Sequence, residues 1–171
     1  MKRSASSRTL SMAKVAAPPR RWSGVALAFS AVAQAGSGGG ASVWDDPLFV
    51  LYRLGVEALD AGDYPRAREI ALRAVRESPG QLLAHDLLGR AAFGCGCLEE
   101  AVDAFDAVLR AYPTSFAARR HRALALDRLG RVEEAHGAYL AALSLRPDCA
   151  EIRRRLQRFP SPPVTEASGS P

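Results

Sequence analysis

The chain has 171 residues, of which 48% are hydrophobic, and a formal net charge of +5. This length is enough for one domain with its own core and flanking segments. The charge is uneven: residues 1–44 hold six basic residues and no acid, whereas residues 45–160 hold 17 arginines and 17 acidic residues. A neutral domain lacks the cationic surface that nonspecific phosphate binding requires, so we predict no nucleic-acid partner.

Residues 1–44 are predicted to be a disordered leader outside the fold. A basic stretch, an apolar run at 24–33 and a small-x-small sequence at 33–35 are the parts of a secretory signal. The apolar run is shorter than the roughly 20 residues that span a bilayer, so no stable membrane span is predicted. An exported or periplasmic location is the favoured interpretation. An organelle transit peptide and an unprocessed cytoplasmic leader are the alternatives.

Six amphipathic helices follow in the sequence, and no segment has the alternation of a strand. They are predicted near residues 47–60, 64–77, 81–94, 98–111, 115–128 and 132–145. Asp46 can cap the first helix, with Pro47 at its first position. A further helix is predicted over residues 149–159, apolar at Ile152 and rich in arginine elsewhere, as expected of a terminal cap. Residues 160–171, rich in proline and serine, are predicted to be a disordered tail.

The six main helices form three copies of one unit. Four columns recur with a spacing of 34 residues: Pro79, Pro113 and Pro147; Gly62, Gly96 and Gly130; Ala67, Ala101 and Ala135; and Gly55, Gly89 and Ala123. The prolines end helices, the first glycine column suits a left-handed helix terminus, and the small mid-helix residues suggest close helix approach. The predicted repeats are 48–81, 82–115 and 116–149, within a domain of residues 45–159.

The second unit combines Leu88-Gly89, Ala101-x3-Phe105 and Pro113. This pattern resembles the tetratricopeptide repeat (TPR) family. The resemblance implies an all-α, TPR-type α-solenoid with three helix–turn–helix repeats and a C-terminal capping helix, whose first helices line a concave groove.

The third unit departs from the family pattern. Arg119 and Arg122 stand where the family usually has apolar residues. We therefore expect this helix to be less well packed, or the arginine stems to lie along the neighbouring surface.

The candidate binding site is a second stripe on the first helix of each unit. It consists of Phe49, Tyr52, Arg53, Val56, Leu87, Arg90, Arg120, His121 and Leu124. Apolar anchors with interleaved arginines are typical of an interface, although packing between repeats is the alternative interpretation. The sequence thus predicts a protein–protein interaction module or adaptor, and a protein or peptide partner with an acidic segment would fit its arginines. The alternative is a self-associating structural subunit of a cell-envelope or organelle assembly.

One TPR subtype is disfavoured by the same positions. TPR cochaperones hold a chaperone carboxylate with a clamp of lysines, asparagines and an arginine. The matching positions here are Tyr52, Val56, Leu87, Ala117 and His121. No chaperone-type carboxylate clamp is therefore predicted.

No enzyme activity, cofactor or metal site is predicted. The sequence has no glycine-rich phosphate loop, HExxH or GxSxG motif. Cys95-Gly96-Cys97 lies in the turn of the second unit, and two thiols alone do not complete a four-ligand zinc site. We interpret them as small turn residues, with a redox or metal role as the weaker alternative. Cys149 is expected to be a lone buried thiol.

Overall fold

The computed structural model describes residues 46–159. In this range the chain forms seven α-helices and no strand: α1 (Pro47–Asp60), α2 (Tyr64–Glu77), α3 (Leu82–Cys95), α4 (Leu98–Ala111), α5 (Phe116–Arg128), α6 (Val132–Leu143) and α7 (Ala150–Leu156). The predicted all-α architecture is confirmed, and α1–α6 begin and end within two residues of the predicted positions. The capping helix is shorter than predicted because residues 157–159 form a turn. The predicted leader and tail lie outside the described residues.

Local sequence sets several helix ends. The Asp46 carboxylate accepts hydrogen bonds from the backbone N–H groups of Leu48 (2.8 Å) and Phe49 (3.2 Å), so it is the predicted N-cap of α1. The turn inside each unit contains one glycine with a positive φ. The angle is 76° at Gly62, 81° at Gly96 and 76° at Gly130. This left-handed conformation is strained for residues with a Cβ, which explains the 34-residue glycine column.

The helices pack in chain order, each against the next, from α1 to α6. In addition, α1 contacts α3 and α3 contacts α5, whereas the second helices of neighbouring units do not approach each other to this extent. The stack therefore curves with the first helices on its inner, concave side. Helix α7 packs on α6 and covers the end of the stack.

Small residues in the first helices are covered by large ones. A Cβ on Gly89 would lie 2.7 Å from the ring of Phe105 in α4, and a Cβ on Gly55 would overlap the side chain of Leu87 in α3. Both glycines therefore allow the close helix approach that the sequence suggests. Phe105 and Leu87 have no exposed surface.

The third unit compensates for its arginines with polar contacts. The Arg122 Nε donates to the Asp106 carboxylate of α4 at 2.5 Å, and the Arg119 Nε donates to the carbonyl of Pro113 at 2.7 Å. Ala123 and Leu126 on the same helix are fully buried. The arginines thus reach the neighbouring segment, while the rest of α5 packs normally.

No helix within residues 46–159 combines the length and the apolar content of a transmembrane segment.

Candidate partner-binding groove

The inner side of the stack is formed by α1, α3 and α5, and ion pairs extend it to α7. The Arg120 guanidinium of α5 contacts the Glu151 carboxylate of α7 at 2.9 Å, and Arg155 of α7 contacts Asp127 of α5 at 3.2 Å. The capping helix therefore contributes charged side chains to the concave side as well as closing the core. We call this surface the groove.

Three of the nine predicted groove residues are buried. Phe49 is 1% exposed and Leu87 is 0% exposed, so neither can contact a partner in this conformation, and both belong to the packing beneath the groove. Leu87 is held there because it fills the space that Gly55 leaves. Tyr52, 8% exposed, lies at the edge of this packing. The structural interpretation of the stripe therefore applies to these side chains.

The other six residues are partly exposed: Arg53, Val56, Arg90, Arg120, His121 and Leu124. They come from α1, α3 and α5, the first helices of the three units. These residues are the part of the predicted site that is open to contact.

Each groove arginine has an acidic partner from the chain itself. Arg53 pairs with Glu57 at 3.1 Å, and Arg90 pairs with Asp86 at 3.8 Å. Both are i,i+4 pairs on one helix, and this spacing can be recognised from the sequence alone. The Arg120–Glu151 pair joins helices 31 residues apart, so only the fold reveals it. The acids Glu57 and Glu151 are the neighbours of the groove arginines that sequence reasoning missed.

Burial changes the electrostatics of the groove floor. Desolvation raises the pKa of the Asp86 carboxyl, and nearby Arg90 partly opposes this effect. Desolvation also raises the pKa of the Tyr52 hydroxyl, and the Asp86 charge adds to the rise. Tyr52 therefore stays a neutral phenol at physiological pH, and it links α1 electrostatically to the Asp86–Arg90 pair of α3.

His121, on α5, is held neutral. Its ring stacks on Phe105 with the ring centroids 5.4 Å apart, and the Arg120 guanidinium lies 3.1 Å from its Nε2. Because a guanidinium can only donate, Nε2 accepts and the ring proton lies on Nδ1. Desolvation, followed by the charges of Arg120 and Arg90, lowers the pKa of His121 to about 4.

The end of the groove is a network of rings and charges. The Tyr139 hydroxyl of α6 donates to Asp127 at 3.1 Å, and Asp127 also accepts from Arg155. The Arg128 guanidinium lies 4.2 Å from the centroid of the Phe93 ring. These contacts fix the orientation of α5 between α3 and α7.

The cysteines of the second turn do not resemble a reactive pair. Cys95 ends α3 and Cys97 caps α4, on either side of Gly96. Burial raises the pKa of the Cys95 thiol, and Cys97 raises it further, which disfavours the reactive thiolate. Within residues 46–159, no group of three or more histidine, cysteine or acidic side chains is placed to hold a metal ion. Cys149 is half-buried at the start of α7, next to the core.

Within residues 46–159, three stacked helix pairs and a capping helix, with small residues at 34-residue intervals, define a repeat protein of the helical solenoid class. The sequence matches the family model for the tetratricopeptide repeat over residues 52–116 and 120–156. The chain belongs to the tetratricopeptide repeat family. Comparison with curated proteins gives no match.

Solved structures of similar fold are TPR domains. The first TPR of Spaghetti (RPAP3), bound to the HSP90 peptide SRMEEVD, is 20% identical with a TM-score of 0.62, over 66% of this chain and 89% of that chain. The structure of MamA MSR-1 is 26% identical with a TM-score of 0.60, over 80% of this chain and 74% of that chain. MamA from Desulfovibrio magneticus RS-1 is 23% identical with a TM-score of 0.62, over 66% and 63% of the two chains.

Proposed function

We propose that this protein is an interaction module that binds a segment of a partner protein in the groove, without a catalytic step. The proposal rests on the exposure of these side chains: two apolar residues, three arginines and His121, from the first helices of the three units, are partly exposed, and those helices contact one another in succession. An interface needs apolar anchors next to polar groups that fix orientation. Val56 and Leu124 supply apolar contact, and the arginines supply donors.

The ion pairs of the groove favour a partner with an acidic segment. Arg53, Arg90 and Arg120 are between 32% and 35% exposed at the side chain, and such pairs are worth about 0–1 kcal/mol each. A partner carboxylate can therefore replace Glu57, Asp86 or Glu151 with little loss of stability. The RPAP3 domain bound to the peptide SRMEEVD is an example, in the same fold, of a segment with acidic residues as ligand. The clamp residues are missing here, so we propose acidic recognition of a different kind.

The test is selection of ligands from a random peptide library, followed by affinity measurement against two double variants. In Arg53→Glu/Arg90→Glu the charge of the groove is reversed. In the control, Arg73→Glu/Arg131→Glu, the same charge change is made at two ion pairs of the second-helix side. We expect the groove variant to bind the selected peptides at least about tenfold more weakly and the control to bind them normally. Equal affinity of wild type and groove variant would refute binding in the groove.

A second candidate function is self-association as a structural or assembly subunit. Val132 and Leu140 of α6 are each 48% exposed and lie two turns apart on the same helix face. Light scattering after size-exclusion chromatography tests this candidate. A dimer that becomes monomeric in Val132→Ser/Leu140→Ser supports it, and a monomeric wild type at high concentration excludes it.

A further inference from the structure

A pocket of about 530 Å³ lies between the start of α5 and the segment that joins α6 to α7. It is lined by Thr114, Phe116, Ala117, Arg120, Leu145 and Arg146. Arg120 also belongs to the groove, so the pocket is continuous with the proposed binding surface. Its other lining residues were not among the site residues that the sequence suggested.

Arg146 contributes a cation without an acidic partner among the described residues. Its guanidinium carbon lies 4.4 Å from the centroid of the Phe116 ring, and no carboxylate of residues 46–159 forms an ion pair with it. Stacking uses the face of the guanidinium and leaves its in-plane N–H groups for an acceptor. In this respect Arg146 differs from Arg53, Arg90 and Arg120, each of which is paired within the chain.

Arg120 contributes a second cation with an unused donor. One terminal nitrogen donates to Glu151 and the other lies against the Nε2 of His121, but the buried Nε has no acceptor among the described residues. Because this Nε is buried, a ligand in the pocket can reach only the terminal nitrogens of Arg120, each of which carries two N–H groups and makes one contact within the chain. Two guanidinium groups of one pocket thus have hydrogen-bonding capacity left over.

Apart from Thr114, the remaining walls are apolar. Phe116, Ala117 and Leu145 line the pocket, and Leu145 is 37% exposed. A ligand that fits both parts carries an anionic group for the two guanidiniums and an apolar side chain beside it. The Arg120–Glu151 pair shows that this guanidinium is placed to hold a carboxylate, so a carboxylate is the anion that we assign to the pocket.

Building on the proposed function, we propose that this pocket binds a carboxylate of the partner segment between Arg120 and Arg146, with a neighbouring apolar side chain against Leu145 and Phe116. In this proposal Glu151 is an internal competitor, because its carboxylate occupies Arg120 until the partner replaces it. The carboxylate comes from an acidic side chain of the partner. The pocket therefore selects for an acidic residue next to an apolar one.

Three labelled pentapeptides test the proposal on the full chain. The first is Gly-Ser-Leu-Glu-Glu with an amidated C-terminus, the second is amidated Gly-Ser-Leu-Gln-Gln, and the third is Gly-Ser-Leu-Gln-Gln with a free C-terminal carboxylate. Binding is followed through the ¹⁵N NMR signals of the arginine Nε groups. We expect the glutamate peptide to shift the Arg120 and Arg146 signals and the amidated glutamine peptide to leave them in place. Shifts with the third peptide would assign the site to a chain terminus as well.

Three variants sharpen the test. Arg146→Gln should weaken binding of the glutamate peptide about tenfold, because one charge-assisted contact is lost. Glu151→Gln should strengthen binding about threefold, because the internal competitor becomes neutral. The control Arg76→Gln, an exposed arginine at the end of α2, should have no effect.

The proposal is overturned if the glutamate and amidated glutamine peptides behave alike, if Arg146→Gln binds as wild type does, or if Glu151→Gln weakens binding. The outcomes also separate this site from the groove. Shifts confined to Arg53 and Arg90 overturn the pocket and leave groove binding intact. Loss of binding by the library-selected peptides in Arg53→Glu/Arg90→Glu tests the groove without reference to Arg146.

Discussion

The first and second units share one repeat pattern, but different side chains cover the small residue of their first helix. In the second unit Gly89 is covered by Phe105 from its own second helix, α4. In the first unit the corresponding position of α2 is Ala71, and Gly55 is covered instead by Leu87 from the next unit. The second unit thus has an aromatic core of its own, whereas the first depends on its neighbour.

The second helices of the two units also differ in the size of their buried side chains. The buried residues of α2 are the alanines 67, 71 and 74, whereas α4 buries Val102, Phe105 and Val108. Apolar area removed from water is the main source of stability, so α4 contributes more than α2. In a repeat stack stability is shared between units and their interfaces. The first unit is therefore expected to open before the second.

The largest expected effect is that of removing the aromatic core of the second unit. Phe105 has no exposed surface and contacts Gly89 and His121. Phe105→Ala should lower the free energy of unfolding by about 3–5 kcal/mol, measured by urea denaturation. Tyr112→Ala, at a side chain that is 60% exposed, is the control and should change it by about 0.5 kcal/mol or less. A loss for Phe105→Ala as small as the control's would contradict this account of the core.

The comparison between the two units is tested most directly at Leu87. Leu87→Ala removes the side chain that covers Gly55 and should cost about 2–4 kcal/mol. Because α1 and α2 depend on this contact, hydrogen exchange should accelerate most in those two helices and less in α4. Acceleration spread evenly over α1–α6, as expected for Phe105→Ala, would mean that the first unit does not depend on its neighbour in this way.

The sequence predicted the helices better than the groove. Proline, glycine and alanine columns are local requirements of helix ends and close approach, so the positions of Gly62 or Ala101 could be interpreted without a structure. The depth of a side chain depends on what covers it. The spacing of Leu87 matches the groove stripe, but its side chain is buried because Gly55 leaves a space that it fills.

The ion pairs of the groove likewise could be predicted from the sequence only where both partners lie on one helix. The Asp86 partner of Arg90 is four residues away on one helix, but Glu151 reaches Arg120 from a helix 31 residues further along. Arg146 and Phe116 likewise meet only because the segment after α6 returns to the start of α5. The periodicity within one unit does not predict these contacts, since they depend on how successive helices are stacked.

The smallest of the expected effects links the second unit's core to the groove through pH. The pKa of His121 is lowered to about 4 in the folded state, against an ordinary value of 6.5, by burial and by the charges of Arg120 and Arg90, with Glu151 acting in the opposite direction. The unfolded chain therefore binds more protons than the folded one below pH 6.5, so this contribution to stability is complete above that pH and is lost as the pH falls towards 4.

Between pH 7.5 and pH 5 the loss should be about 2 kcal/mol, obtained from urea denaturation at both pH values. The carboxylates of the chain also titrate near this range, so His121→Gln provides the reference. If His121 is the group responsible, the variant should lose about 2 kcal/mol less than wild type over the same interval. An equal pH dependence in the two proteins would show that the ring stacked on Phe105 is not the group that resists protonation, and the link between core and groove would have to lie elsewhere.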